Sequence, residues 1–377
     1  LKDRDKFSPL LKQFMERPRH PTPKSICCQI LCTLQLPGRT KRPLIDELSE
    51  IPVEHRIDRA QRQHGGETHA LQMLTSFLQD RGKTFSSGIS SPISAWSSCS
   101  RLSPYLTWGH ISLRHVIQTV KVAQQKYKGQ KAAGLPVDPG WARSLTAFLS
   151  RIHWRSHFIQ KLESEPEIET RDLCTAYQHL RRQPDDWNEV YYTAWQDGKT
   201  GYPFVDACMR CLLAHGWLNF RMRAMLVSFA TYNLWLDWKR IAPHLARVFL
   251  DYEPGIHYPQ LQMQAGTTGI NAMRVYSVTK QAKDQDAKGV FIRKYVPELR
   301  SVPDKYIHEP WKMPEETQQN VGVRIGRDYP QPIVNEQESA KLAKQRVSDV
   351  RKQDGTKVLA QQVYQKHGSR SRTRPDG

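Results

Sequence analysis

Apolar residues recur along this chain three and four positions apart, the spacing that lines up one face of an α-helix. Ala70, Leu71, Leu74 and Leu78 do so directly after Gly65-Gly66-Glu67-Thr68, and a further helix is predicted from about 110 to 127. Residues 141–163 carry Trp141, Leu145, Phe148, Leu149, Ile152, Ile159 and Leu162 on a single stripe. The stretch 203–240 predicts two helices broken near Gly216. Extended segments with β-branched alternation are nearly absent, so the expected fold class is all-α.

The intervals are of three kinds. Residues 86–100 form a Ser-rich loop, and 254–270 hold Pro254, Gly255, Pro259, Gly266 and Gly269. That second segment predicts a structured loop instead of a regular helix, and a loop of such length inside a helical domain is usually functional. The first 60 residues are charged and punctuated by Pro18, Pro21, Pro23 and Pro37, which predicts an extended arm or linker with one or two short helices. From about 336 the chain turns Lys/Arg-rich, with a weakly amphipathic helix and a Ser-Arg-Ser-Arg-Thr-Arg tip that either touches phosphates or only solubilises. The division expected is an arm over 1–60, a helical domain over 61–330 and a basic tail over 331–377.

Charge changes this picture most. Lys and Arg number 56 against 37 Asp and Glu, a net +19. Such a surplus favours a polyanionic partner, because each cation near a phosphate releases condensed counterions; a generic soluble surface with basic tails is the alternative. No apolar run approaches bilayer length, the longest being core-sized stretches such as 225–230, so no membrane span is expected. The charged start Leu1-Lys2-Asp3-Arg4 leads into no signal-peptide core, and seven scattered cysteines suit a reducing compartment; the expected location is the cytoplasm. Cys208 and Cys211 form a C-x-x-C, but no cysteine follows them, so they are expected to be small core residues and no metal is expected. Neither a P-loop nor a Rossmann glycine fingerprint is present, so any nucleotide cofactor is held by helices.

Two clusters carry candidate chemistry. The Ser-rich turn 97–103 precedes a predicted helix, where backbone N–H groups and hydroxyls can hold an anion and Arg101 adds a charge; an ordinary capped helix start is the alternative. Phe148, Arg151 and Arg155 fall three or four apart with Trp154 adjacent, placing two cations and two aromatics near one helix face; a surface Arg pair beside a half-buried Trp is the alternative.

The segment Trp195-Gln196-Asp197-Gly198-Lys199-Thr200-Gly201-Tyr202-Pro203-Phe204-Val205-Asp206-Ala207-Cys208-Met209-Arg210 resembles the signature of photolyases and cryptochromes. The resemblance runs in order over roughly residues 60–315. It takes in Gly65-Gly66-Glu67-Thr68, Ser100-Arg101-Leu102-Ser103-Pro104, Gly216-Trp217, Arg221-Met222-Arg223, Asp237-Trp238, Phe291-Ile292-Arg293, Val296-Pro297-Glu298-Leu299 and His308-Glu309-Pro310-Trp311. It implies the helical FAD-binding domain of that family, of a short branch with no N-terminal α/β antenna domain.

On this resemblance, FAD is the cofactor and its diphosphate lies at Ser100, Arg101, Leu102 and Ser103. Phe85, Phe148, Arg155 and Phe220 border it, Arg223 and Asp251 form the ion pair at the redox-active edge of the flavin, Glu253 faces its pyrimidine end and His257 faces N5. Trp154 is implied as a stacking partner for a flipped base, and Trp238 as the middle member of a tryptophan electron-transfer chain. Several positions depart from the pattern. Arg151 stands where cyclobutane photolyases carry a Glu, Phe220 where they carry an Asn, and Met263 where they carry the second lesion-sandwiching Trp. Leu261 replaces the inner Trp of the chain and Trp187 lies out of register for the outer one, so photoreduction needs another route, through Tyr258 or Trp235. The function implied is blue-light-driven repair of pyrimidine dimers in DNA, damaged or single-stranded, by a monomer. The alternatives are a cryptochrome-like photoreceptor without repair activity and a light-independent DNA-binding scaffold.

Overall fold

The computed structural model describes residues 6–19, 59 and 61–367. Helix α1 (Phe7–Glu16) packs on the chain through Met15, and the Gln118 side-chain amide donates to the carbonyls of Met15 and Arg17. It is one of the short helices expected in the N-terminal arm; most of that arm lies outside the described residues. Helices α2 (Glu67–Gln79), α3 (Leu113–Ala132) and α4 (Gly140–Ser164) follow, and their apolar stripes meet in one core containing Leu74, Phe77, Val116, Val120, Leu145 and Phe148. Among the described residues there is no β-strand, only one isolated bridge between Ile325 and Tyr329. The all-α expectation holds.

The stretch 203–240 departs from its expectation. Helix α5 (Pro203–His215) does end at Gly216, and α6 (Phe220–Ser228) then continues as a π-helical turn over Phe229–Asn233. A second break follows before α7 (Trp238–Val248), where the Asp237 carboxylate accepts from the Lys239 backbone N–H at 3.1 Å. An N-cap aspartate satisfies one of the orphan donors of a new helix, which is why a third helix starts there. Cys208 and Cys211 lie fully buried on α5.

The segment 254–270 is a larger correction. Most of it is helix α8 (Pro254–Ala265). Pro254 occupies the first turn, where its missing N–H costs nothing. Pro259 sits inside the helix, at a cost of about 3 kcal/mol, which the helix's surroundings offset. Gln262 ties it down, donating to the carbonyls of Ile168 and Arg171 at 2.8 Å each and accepting from the Leu173 N–H at 2.7 Å. Gly255 is required by close approach: a Cβ there would lie 2.6 Å from Ile159 Cα and 3.1 Å from its Cγ1. The glycine counted as a helix breaker is thus what lets α8 and α4 touch.

The C-terminal region is also more ordered than a tail. Helix α9 (Glu336–Lys352) is capped by Asn335, and its Ala343 and Val347 are buried against Cys174, Tyr177 and Tyr232. Helix α10 (Thr356–His367) returns to the end of α4, with Lys366 and His367 paired to Glu165 at 2.9 and 2.6 Å. Helices α9 and α10 thus pack on elements that precede residue 331. The Ser/Arg tip lies outside the described residues.

Candidate functional site

Helices α4, α6 and α8, with the turn before the short helix Ser103–Thr107, enclose a cavity of about 320 Å³. Its wall brings together most of the residues singled out above: Phe85, Ser100, Arg101, Leu102, Ser103, Phe148, Arg151, Arg155, Phe220, Arg223, Asp251, Glu253, His257 and Leu261. Phe85 and Phe148 are buried and meet edge-on at 5.7 Å. Two ion pairs stand in the wall. Arg223 clamps Asp251 with two parallel bonds of 2.9 Å, and Arg155 reaches Glu253 at 2.8 Å. Arg223 also donates through Nε to the Leu218 carbonyl at 2.6 Å and lies 4.3 Å over the Phe249 ring, so its orientation is fixed on three sides.

Arg101 sits in the left-handed region at φ 58° and is nearly buried. Its guanidinium lies over both indoles of the edge-on pair Trp96 and Trp217, 4.2 and 4.1 Å from their centroids, and Nε donates to the Gln63 side chain at 2.9 Å. Burial lowers its pKa to about 10, which leaves it cationic at neutral pH. Trp96, Trp217 and Gln63 are thus positioning residues for this wall, and sequence patterning gave no hint of Trp96 or Gln63. Arg81 braces the same turn from behind through the Cys99 carbonyl.

Trp154 and Met263 are absent from the lining. At 3.6 residues per turn, Trp154 points about 100° away from Arg155; it is 55% exposed, with its ring 6.0 Å from Phe158. Met263 is half-buried on α8 outside the wall. In their stead the exposed rim is formed by Arg151, whose guanidinium lies 5.3 Å over the Phe220 ring. Trp238 is buried behind the wall, its indole N–H on Asp172 at 2.6 Å. Trp187 is only partly buried and stacked under Arg240 at 3.6 Å.

Three buried amide oxygens have no partner within the protein: Oδ1 of Asn219 and Oε1 of Gln260 and Gln264. All three residues line this cavity. The Asn219 orientation is set by its NH₂ group, which donates to the carbonyls of Ile89 and Ser90 at 3.1 and 2.8 Å. Each such orphaned acceptor costs about 1–3 kcal/mol, so the wall is built for a ligand carrying several N–H donors together with a flat apolar body and negative charge. A flavin dinucleotide has all three. Arg101, Arg155 and Arg223 supply the cations, Phe85, Phe148 and Leu261 the apolar surface, and the three amides the acceptors.

The sequence profile described as the FAD binding domain of DNA photolyase matches residues 148–349, which is more than half of the chain. The chain belongs to the photolyase/cryptochrome family. It is 34% identical over 280 residues to the deoxyribodipyrimidine photo-lyase of Alkalihalophilus pseudofirmus, covering 74% of this chain and 54% of that protein. It is 29% identical to cryptochrome-1 of Aedes aegypti, covering 72% of this chain and 50% of that one. In structure it is similar to a bacterial class III photolyase from Agrobacterium tumefaciens (TM-score 0.66, 29% identity, 76% of this chain and 56% of that one). It is similar also to a Synechocystis cryptochrome (TM-score 0.68, 27% identity, 77% and 58%). This photolyase-family chain spans about half the length of the curated relatives it matches. Its cofactor is FAD, the group that the family's helical domain binds. No helix among the described residues is long and apolar enough to cross a membrane.

His257 gives the site a pH signature. Nε2 lies 3.1 Å from the Ala242 carbonyl and the ring is wedged edge-on between Tyr252 and Tyr258, so the neutral imidazole donates through Nε2–H. Burial depresses its pKa to about 4. Between there and its ordinary value of about 6.5 the unfolded chain binds a proton that the folded chain does not, so stability is full above that window and is lost as pH falls through it. The urea midpoint is expected to drop from pH 6.5 to 4, with His257 contributing about 3 kcal/mol. His257→Gln, which keeps a donor, flattens the curve; His244, also held at about 4 by burial, leaves a residual slope. An unchanged slope in the variant refutes the assignment.

Proposed function

We propose that this chain is a light-driven DNA repair enzyme of the pyrimidine-dimer photolyase type. The observation that carries the reading is the rim of the cavity. Arg151 and Phe220 are both exposed, stacked at 5.3 Å, and line the same wall as the Arg223–Asp251 pair. A cation on an aromatic plate offers stacking to an extruded base and neutralises charge that develops on it. Ser100, Arg101, Leu102, Ser103, Arg155, Arg223, Asp251 and His257 would hold FAD, which in its reduced form would supply, on excitation, the electron for splitting the dimer. Phe85, Phe148 and Phe220 exclude water around it, and Glu253 holds Arg155 in place. Trp154, exposed on the same helix but off the lining, offers a stacking surface outside the cavity, and Met263 and Trp238 stand behind the wall. The net +19 attracts the DNA backbone. With neither Trp154 nor Met263 on the lining, single-stranded or distorted DNA, whose bases need little extrusion, is the favoured substrate, acted on by a monomer.

A cryptochrome-like photoreceptor is the second reading, favoured by Leu261 and by the absence of Trp154 and Met263 from the lining. One experiment separates the two. With flavin photoreduced, thymine dimers are expected to disappear under blue light, faster in single- than in double-stranded DNA. No light-dependent loss on either substrate leaves the photoreceptor reading, and a preparation without stoichiometric flavin refutes both.

A further inference from the structure

Tyr252 is the tyrosine on the cavity lining. Its hydroxyl donates to the Tyr258 oxygen at 3.3 Å, and the Tyr258 hydroxyl donates to Glu169 Oε1 at 3.0 Å. Glu169 is exposed. Two hydrogen bonds, all pointing one way, therefore lead from the cavity wall to a carboxylate in solvent. His257 packs edge-on against both rings, 5.0 and 5.1 Å from their centroids, and is itself anchored on the Ala242 carbonyl, so the pair is held in register.

We propose that Tyr252, Tyr258 and Glu169 form a proton-coupled oxidation relay that supplies electrons to the flavin; the proposal rests on FAD occupying this cavity. One electron leaves Tyr252 for photoexcited, oxidised flavin. The Tyr252 proton passes to the Tyr258 oxygen as the Tyr258 proton passes to Glu169. The chain is left with a neutral Tyr252 phenoxyl radical and a Glu169 carboxylic acid. A thiol in solution then returns a hydrogen atom to Tyr252, becoming a thiyl radical, and Glu169 releases its proton to water. The carboxylate matters because a phenol that loses an electron without losing its proton becomes a cation, which is costly in a partly buried site.

The other aromatic residues are less suited. Trp235 has two guanidiniums over its ring, Arg181 at 4.6 Å and Arg346 at 4.7 Å, against the single carboxylate of Asp186 on its indole N–H at 3.0 Å, so a positive hole there is opposed on balance. Trp238 lies off the lining, with Leu261 in the wall.

The test uses the full chain with bound flavin, whose content is measured by absorbance before anaerobic blue illumination with thiol. Tyr258 and Glu169 are outside the lining, so Tyr258→Phe and Glu169→Gln are expected to retain flavin. Both are expected to slow photoreduction by about tenfold or more. Glu169→Gln also abolishes the solvent deuterium isotope effect, and Glu169→Asp recovers part of the rate. A transient phenoxyl absorbance accompanies photoreduction in the unaltered chain and is missing in Tyr252→Phe. Tyr258→Phe with full flavin and an unaltered rate overturns the relay while leaving the cofactor placement intact. An unaltered chain that takes up no flavin overturns that placement as well.

Discussion

Arg223→Ala is expected to fold with its secondary structure intact and to purify without stoichiometric flavin. Arg223 is the cation of the bidentate pair, and its partner Asp251 has a side chain only 3% exposed. Removing one member of such a pair strands a buried carboxylate, a change that costs about 3–5 kcal/mol. It also strips the cavity of a cation fixed by the Leu218 carbonyl and the Phe249 ring. A loss of about 3 kcal/mol in binding weakens the flavin dissociation constant by roughly a hundredfold. The double change Arg223→Ala with Asp251→Ala separates the two contributions. If it regains stability but not flavin, the cation itself contacts the cofactor; if it regains both, Arg223 acts only by neutralising Asp251. Arg223→Lys keeps the charge without the two-pronged geometry and falls between. Absorbance ratios, flavin titration and circular dichroism decide the matter, and stoichiometric flavin in a folded Arg223→Ala overturns the assignment.

Periodicity located the helices well where it was long. The stripe over 141–163 became α4 with its ends displaced by a residue, because apolar residues at helical spacing state which side of the element is buried. It misled at 254–270, because proline and glycine are local signals and their meaning there is set by a partner. Gly255 faces Ile159, and Gln262 anchors the helix on the Ile168 and Arg171 carbonyls. Neither contact is visible along the chain. The same distinction runs through the site. Residues of the Arg223–Asp251 pair are identifiable from resemblance, while the seating of Arg101 over the Trp96–Trp217 pair and the orphaned oxygens of Gln260 and Gln264 depend on elements far apart in sequence. Trp154 shows the converse case: adjacency in sequence sets it beside Arg155, and helical rotation turns it away from the cavity lining.

The most recognisable stretch of the chain has little to do with the cavity, and Asp206→Ala is expected to show it. The Asp206 carboxylate is fully buried on α5. It accepts from the Thr200 N–H at 2.8 Å, the Thr200 hydroxyl at 2.6 Å, the Gly201 N–H at 3.1 Å and the Tyr329 hydroxyl at 2.5 Å. Gly201 has φ 79°, and a Cβ there would lie 2.2 Å from the Gln331 carbonyl oxygen, so the turn it makes is pressed directly onto the segment following Tyr329. Thr200, Gly201, Tyr202 and Asp206 are thus a structural knot joining the start of α5 to residues more than a hundred positions later, and none of them lines the cavity. Deleting the carboxylate leaves four buried donors unmatched, at about 1–3 kcal/mol each, a total comparable to the 5–15 kcal/mol by which a domain is stable. Asp206→Ala should therefore fail to accumulate as folded protein, or unfold at a much lower urea concentration. Asp206→Asn, which retains an acceptor for Thr200 but turns a donor toward Gly201 and Tyr329, should lose roughly half as much. Whatever fraction of Asp206→Asn folds should bind flavin stoichiometrically and with unaltered affinity. A variant as stable as the unaltered chain refutes the knot; a stable one that loses flavin moves the signature into the cofactor site.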